Sequence, residues 1–437
     1  VVLRVGYAGP LKGEIRPPGD KSISHRALML GALAQGETRI RGLLEADDIA
    51  RTAHCLREMG VPIWPSGEEV IVEGRGEEGL AEPWRLLEAG NSGTTLRLLM
   101  GMIASHPFRA TLTGDASLRR RPMDRVAIPL RQMGAEVEGE GPRCLPPVKV
   151  RGGSLRGIEY HLLIASAQVK SAILLAGLRA KGETRLTEPA FSRDHTERML
   201  RGFGAPVQFG PGFAAIVGGG TLQGQRLVVP GDFSAAAFFI VGAALLEGSE
   251  VEIQQVGLNP TRTGLLEVLQ EMGADLEISP AAEVGAESGG EPTGRVRVRG
   301  GSPLRGTEIG PELVPRLIDE LPVLCVAAAG AEGKTVIRGA GELRLKESDR
   351  ISAMAAALVA LGADVEELPD GLIIRGGRRL KAARIDSRGD HRVAMAGAIA
   401  GVLAQEAEIE GAECISTSYP GFAEHLRLLG GRVEMIE

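Results

Sequence analysis

Apolar residues along the chain fall into two kinds of run that alternate. One kind is apolar on nearly every face, as at 27–34, 172–180 and 238–246, and predicts helices buried in the middle of a core. The other is amphipathic and ends in a bulky residue followed by glycine. It does so at Met59-Gly60, Met133-Gly134, Phe203-Gly204, Met272-Gly273, Leu361-Gly362 and Leu429-Gly430. Glycine there suits a left-handed helix cap, and the start of a Val-rich strand follows. The all-apolar helices are followed by related strand strings: GETRIRG from Gly36, GETRLT from Gly182, GSEVEI from Gly248 and GKTVIRG from Gly333. The unit is therefore helix, strand, loop, helix, strand, hairpin, repeated six times at intervals of about 70 residues. One interval is longer and holds residues 280–294, rich in Gly, Glu and Pro, which predicts a solvated loop insertion. Short βα alternation with hairpins predicts α/β units of mixed sheet. No GxGxxG string follows a strand, so a dinucleotide site is not expected.

At 437 residues the chain exceeds one compact core, and two domains are expected. Pro18-Gly19-Asp20-Lys21-Ser22 is echoed by Pro230-Gly231-Asp232-Phe233-Ser234, each leading into an apolar helix. If each Pro-Gly-Asp marks a crossing, residues 21–231 form one three-repeat domain, and residues 1–20 with 232–437 form the other. A cleft between two similar halves is a usual ligand site, and two crossings without a long linker make a hinge.

Composition narrows the function classes. Apolar residues make up 43% and charged residues 24% of the chain, ordinary values for a globular protein, whereas aromatics are only 3%. Cores must then be built from Leu, Val, Ile and Ala. A formal net charge of -6 without a Lys/Arg block disfavours a nucleic-acid surface. No apolar run reaches membrane-spanning length, and Arg4 and Gly6 interrupt any leader-like core, so a cytoplasmic protein is expected. Cys55, Cys144, Cys325 and Cys414 lack metal-like or CxxC spacing and read as small buried hydrophobes.

Polar loops stand at the helix starts. Gly19-Asp20-Lys21-Ser22-Ile23-Ser24-His25-Arg26 enters a helix that Asp20 or Ser22 can cap, with Lys21 and Arg26 facing its N–H groups. Gly90-Asn91-Ser92-Gly93-Thr94 is a turn suited to close approach by an anion. Leu118-Arg119-Arg120-Arg121-Pro122 carries three cations. Ser166-Ala167-Gln168-Val169-Lys170 puts hydroxyl, amide and ammonium into one first turn. Arg193-Asp194-His195-Thr196-Glu197 precedes a helix that Asp194 can cap. Its Asp, His and Glu do not share a helical face, so a metal reading is weak. Asp319 and Glu320 stand before a wholly apolar helix, Lys346-Glu347-Ser348-Asp349-Arg350 alternates charge, and Asp390-His391-Arg392 opens a further apolar helix. Each stretch alone also reads as a cap, a dipole partner or a solvated charge run. Together they show helix after helix beginning with cations that its own dipole disfavours. A strongly anionic ligand resolves that conflict.

In this order, the strings GDKSISHR, GNSGT, RRPM, SAQVK, RDHTE, LKESDR and GDHR resemble the 5-enolpyruvylshikimate-3-phosphate (EPSP) synthase family over nearly the whole chain. SAQVK, RDHTE and Asn259-Pro260-Thr261-Arg262 resemble its second class, known for frequent glyphosate tolerance. The resemblance implies a two-domain inside-out α/β fold of six βαβαββ repeats, three per domain. It also implies an enzyme of the shikimate pathway of aromatic amino-acid biosynthesis. The family transfers the enolpyruvyl group of phosphoenolpyruvate to the 5-hydroxyl of shikimate 3-phosphate and releases phosphate, by addition and elimination through a tetrahedral intermediate. Two phosphates and two carboxylates then share one cleft, which needs a comparable number of Arg and Lys side chains.

Carried over by motif, Ser166, Gln168 and Arg193, with Ala167 beside them, would hold the phosphate of shikimate 3-phosphate. Ser22 and Arg26 would hold its carboxylate and ring side. Arg121, Arg350 and Arg392, with Gly93 and Gln168, would grip phosphoenolpyruvate, and Lys21 would lie between both substrates. Asp319 would be the base at the 5-hydroxyl, with Lys346 beside it. Glu347 and Lys21 would exchange protons at the enol carbon, and His391 is a further candidate. The resemblance implies no metal or organic cofactor, a monomer, and glyphosate as an inhibitor.

Two departures stand out. Ser416-Thr417-Ser418-Tyr419-Pro420 lacks the lysine that precedes this element in the first class, so one phosphate-gripping cation is absent. Strongly tolerant second-class members have Ala where this chain has Gly93, and intermediate glyphosate sensitivity is expected. The alternative of a UDP-N-acetylglucosamine enolpyruvyl transferase would need a loop cysteine, and residues 114–125 contain none. The RNA 3'-phosphate cyclase group shares part of the repeat architecture, but the acidic balance opposes it. A non-catalytic phospho-ligand-binding protein would not want Asp319 and Glu347 in an anionic cleft.

Overall fold

The computed structural model describes residues 1–7, 9–281 and 289–436. These residues build six four-stranded sheets on one plan. In the sheet of Leu87–Glu88, Arg109–Thr113, Leu145–Arg151 and Glu136–Glu140, the first pair is parallel and the other two pairs are antiparallel. A parallel step needs a crossover, and the helix Gly93–Ala104 supplies it; the helix Asp124–Met133 then leads into the hairpin. The result is the βαβαββ order. Three sheets take a strand from far along the chain. Val2–Gly6 lies between Glu406–Glu410 and Arg432–Ile436, Lys12–Ile15 pairs Glu250–Gly257, and Arg226–Val228 pairs Gln35–Arg41.

The chain separates into two compact units. One takes Val1–Pro18 and the chain from Gly231 onward; the other takes Gly19–Pro230, to which a short stretch ending at Glu291 also belongs. The divide thus falls two residues before the expected 20/21 boundary and one before 231/232. Three of the six sheets lie in each unit. The turn at each crossing is tied within its own unit: Asp20 N–H donates to Pro230 O at 2.7 Å, and Asp232 N–H to Pro18 O at 2.8 Å.

Each unit has its own apolar core, and in each the all-apolar helices form its centre. They are Lys21–Leu33, Gly93–Ala104 and Ala167–Gly177 in one unit, and Phe233–Leu245, Leu321–Gly330 and His391–Leu403 in the other. The amphipathic helices lie outside them, and the glycine after each is left-handed, with φ 82° at Gly60 and 112° at Gly134. Most of the buried aromatics lie in one core, where Phe238, Phe239, Tyr419 and Phe422 pack edge-on or tilted. Cys55, Cys144 and Cys325 are buried and Cys414 half-buried, all as free thiols.

Of the expected insertion at 280–294, residues 282–288 lie outside the described residues. Its far end is not solvated: Glu291 is buried, with its carboxylate 2.7 Å from His195 Nδ1. Among the described residues, no helix is long and apolar enough to cross a membrane.

Candidate active site

In the Gly19–Pro230 unit, the three central helices start at Lys21, Gly93 and Ala167, and their first turns carry most of the candidates. Asp20, not Ser22, caps the first helix, taking the Ile23 N–H at 2.9 Å. Lys21 pairs with Asp48 of the neighbouring outer helix. Arg26 is buried; its Nε donates to Thr196 Oγ1 at 2.7 Å, Nη2 to Ser171 Oγ at 2.9 Å and Nη1 to the Ser22 carbonyl at 2.9 Å. Burial pushes the Arg26 guanidinium down to about 10; Arg193 pushes the same way, against Glu197, Asp20 and Glu291.

The second and third helix starts are joined directly. Gln168 Nε2 donates to Thr94 Oγ1 at 2.9 Å, and Arg97 Nη1 donates to Gln168 Oε1 at 2.7 Å. Ser92 caps the Gly93 helix, and its hydroxyl continues a buried chain through Thr95 and Thr52 to His25, each link 2.7 Å. Burial first, then Lys21 and Arg26, push His25 well below its ordinary value, so it serves as a neutral strut. Of the Arg119-Arg120-Arg121 triplet only Arg121 is buried, with Nη2 2.6 Å from Asn91 Oδ1; the other two are exposed. Ser166 and Ala167 are half-buried at the third helix start, and Ser166 makes no side-chain cap bond.

Two expectations are corrected here. Lys170 meets an internal anion: it is buried with Glu188 and Glu197, each 2.9 Å away. Asp194 does not cap its helix; its carboxylate accepts from Arg198 Nε at 2.9 Å instead.

The other unit gathers its candidates around Arg350, at the start of the helix Arg350–Ala360. This fully buried guanidinium donates to Asp390 at 2.8 Å, Asp319 at 3.1 Å and Glu347 at 2.5 Å. It is not the surface member of a helical charge pair. Burial lowers its pKa, but Asp390, Glu347 and Asp319 outweigh that and raise it. Arg392 reaches Asp319 as well, with Nη1 3.3 Å from its carbonyl oxygen and Nη2 3.7 Å from its carboxylate. Lys346 keeps some solvent exposure, yet the protein around it is dense enough that desolvation, helped by Arg350, lowers its pKa against Asp319, Glu342 and Glu347. His391 is buried in the first turn of its helix. Glu320 faces inward, away from this cluster's arginine, to Ser234 and Arg262.

Sequence reasoning passed over four of these groups. Asp390 lies inside the GDHR string and Arg97 three residues beyond GNSGT, and the helical spacing of Arg97 four residues after Gly93 was a usable signal. Asp48 and Thr52 sit on an amphipathic helix, where nothing marks them apart from ordinary surface and core positions. Among the described residues, no group of three or more His, Cys, Asp and Glu side chains is arranged to hold a metal ion.

Comparisons with known proteins identify the family and the fold. The family model for EPSP synthase (3-phosphoshikimate 1-carboxyvinyltransferase) matches residues 6–426. A 3-phosphoshikimate 1-carboxyvinyltransferase of Pelotomaculum thermopropionicum is 53% identical over 426 residues, covering 97% of this chain and 98% of that protein. One from Alkaliphilus metalliredigens is 51% identical over 418 residues, with 95% and 97% covered. An EPSP synthase structure from Acinetobacter baumannii superposes with a TM-score of 0.87 at 46% identity, covering 100% of both chains. The enolpyruvyl transferase NikO from Streptomyces tendae, at 19% identity and a TM-score of 0.78 over 99% of this chain and 98% of that one, shares the fold.

Proposed function

The chain belongs to the EPSP synthase family, and from that premise we propose how its residues divide the family reaction. It catalyses enolpyruvyl transfer from phosphoenolpyruvate to shikimate 3-phosphate in the shikimate pathway. The observation that carries the division is that cations converge at helix starts in both units, while the acid/base carboxylates converge in one only.

Ser166, Ala167, Gln168 and Arg193 take the phosphate of shikimate 3-phosphate; Ser22 and Arg26 take its carboxylate and ring side. Arg121, Arg350 and Arg392, with Gly93 and Gln168, take phosphoenolpyruvate. Asp319, oriented by Arg350 and Arg392, accepts the proton of the 5-hydroxyl as its oxygen attacks carbon 2. Lys346, made easier to deprotonate by desolvation, assists. Carbon 3 gains a proton from Glu347 or Lys21 in the addition and returns one in the elimination, as the carbon–phosphate oxygen bond breaks. Lys21 favours the departing phosphate electrostatically, and leaves Asp48 to do so. His391 is the remaining candidate for these proton transfers. Glyphosate competes for the phosphoenolpyruvate groups. The protein acts as a cytoplasmic monomer.

The test is phosphate release with phosphoenolpyruvate and shikimate 3-phosphate, against UDP-N-acetylglucosamine as control acceptor. Release is expected with the first acceptor alone. Asp319→Asn should lower kcat by about 100-fold or more, as loss of a general base does; an unchanged kcat removes Asp319 from that role.

A further inference from the structure

Lys170, Glu188 and Glu197 form a buried ionic triad that contains none of the residues assigned to the reaction. Their side chains are 1–2% exposed, and the group sets two carboxylates against one ammonium. Burying such a group is costly and contributes little to stability over an apolar core of the same volume. A positional task accounts for its presence.

That task is legible in what the triad holds. All three polar groups of Ser192 end on it. The Ser192 N–H donates to Glu188 Oε1 at 3.1 Å, the Ser192 hydroxyl donates to Glu188 Oε2 at 2.5 Å, and the Ser192 carbonyl accepts from Lys170 Nζ at 3.4 Å. Glu197, in the first turn of the following helix, completes the Lys170 pair from the other side at 2.9 Å. Arg193 is the residue between this clamp and Asp194, whose carboxylate is itself held by Arg198. Lys170 also stands in the first turn of the helix that begins at Ala167, its N–H bonded to the Ser166 carbonyl at 3.0 Å. The triad therefore registers Arg193 against Ser166 and Gln168.

We propose that Lys170, Glu188 and Glu197 are positioning residues that fix Arg193 relative to Ser166 and Gln168, and so set the affinity for the phosphate of shikimate 3-phosphate. This rests on the assignment of Arg193 to that phosphate. The side chains touch no substrate; they act through the backbone of Ser192.

Glu188→Ala is the discriminating variant, because it removes two of the three bonds to Ser192, sparing only the Lys170 bond to its carbonyl, yet leaves Lys170 paired with Glu197, so no buried charge is orphaned. In the full-length enzyme it should raise KM for shikimate 3-phosphate about 10- to 100-fold, the worth of one well-placed bond to a charged group. KM for phosphoenolpyruvate should stay within about twofold, an outcome that general loosening would not give. Arg193→Ala should raise the same KM, and Glu188→Ala added to it should have no further effect, since both act through one contact. An unchanged KM in Glu188→Ala, or full additivity with Arg193→Ala, overturns the proposal alone. If Arg193→Ala itself leaves that KM unchanged, the phosphate role of Arg193 falls and takes the proposal with it. Should Glu188→Ala not fold, Ser192→Ala, which removes only the hydroxyl bond, is read by the same cycle with a smaller expected rise.

Discussion

Arg350 is the residue on which most depends in its unit, because one guanidinium answers three carboxylates at once. In Arg350→Met, Asp319, Glu347 and Asp390 would face one another with their shared cation gone. Breaking a buried ion cluster in this way costs about 3–5 kcal/mol, and denaturant unfolding should show a loss of that size along with lost activity. A loss below about 1 kcal/mol would mean that the carboxylates re-pair elsewhere. Gly93 poses a question of space. A Cβ there would come within 2.7 Å of Arg97 Nη1 and 3.5 Å of Arg121 Nη1. Both are ends of long side chains that can yield, so Gly93→Ala should fold. It should weaken inhibition by glyphosate more than it raises KM for phosphoenolpyruvate, since the methyl group intrudes on the wall where Arg121 lies. Equal effects on both would remove Gly93 from that wall.

At the scale of elements, the six repeats share a device that is invisible in the periodicity of the chain. Where the third strand of each sheet ends beside the last turn of the central helix, a glycine stands. A Cβ would meet a carbonyl oxygen at or just past the helix end at 2.1 Å from Gly74, 2.2 Å from Gly152, 1.9 Å from Gly218, 2.0 Å from Gly300 and 2.1 Å from Gly376. The sixth position, Gly6, is looser, with Gln405 O at 2.9 Å. None of the six has a positive φ, so close approach alone demands glycine. Gly218→Ala or Gly376→Ala should cost about 1–3 kcal/mol or more through overpacking against backbone, and Gly6→Ala distinctly less, as thermal unfolding can rank. These glycines escape sequence reading because each resembles any glycine between a strand and a loop. The bulky-residue–Gly signal was legible because a helix cap leaves a local pattern. The sheets built with Val2–Gly6, Lys12–Ile15 and Arg226–Val228 were not, since strand pairing across hundreds of residues has no local signature. The same contrast separates the site residues. Helix-start cations conflict with their dipoles and so announce themselves, whereas Asp48 and Thr52 satisfy every local rule where they stand.

At the scale of the whole molecule, two separate cores allow the two units to respond differently to acid, and the buried histidines fall unevenly between them. His25 and His106 both lie in the Gly19–Pro230 unit. Burial, aided for His106 by Arg179 and opposed by the Met102 carbonyl, pushes His106 down to about 4; His25 is pushed well down by burial, Lys21 and Arg26. For both, the folded pKa lies below the unfolded value near 6.5. Their stabilising contribution is therefore present above pH of about 6.5 and lost as pH falls toward the folded values. Glu197, raised by burial against Lys170, works the other way, because the folded state holds its proton more tightly than the unfolded chain does. The total slope mixes these opposing effects, so the informative quantity is a difference between variants. Between pH 7 and 5.5 an unfolded histidine takes up most of a proton that His106 in the fold refuses, worth about 1 kcal/mol. The parent protein should lose about that much more stability than His106→Gln over this interval. Hydrogen exchange should place the difference in amides of residues 19–230, with those of the other unit unaffected. Equal slopes for the two proteins would mean that His106 is protonated in the fold, which would need a route for water to its buried Nε2.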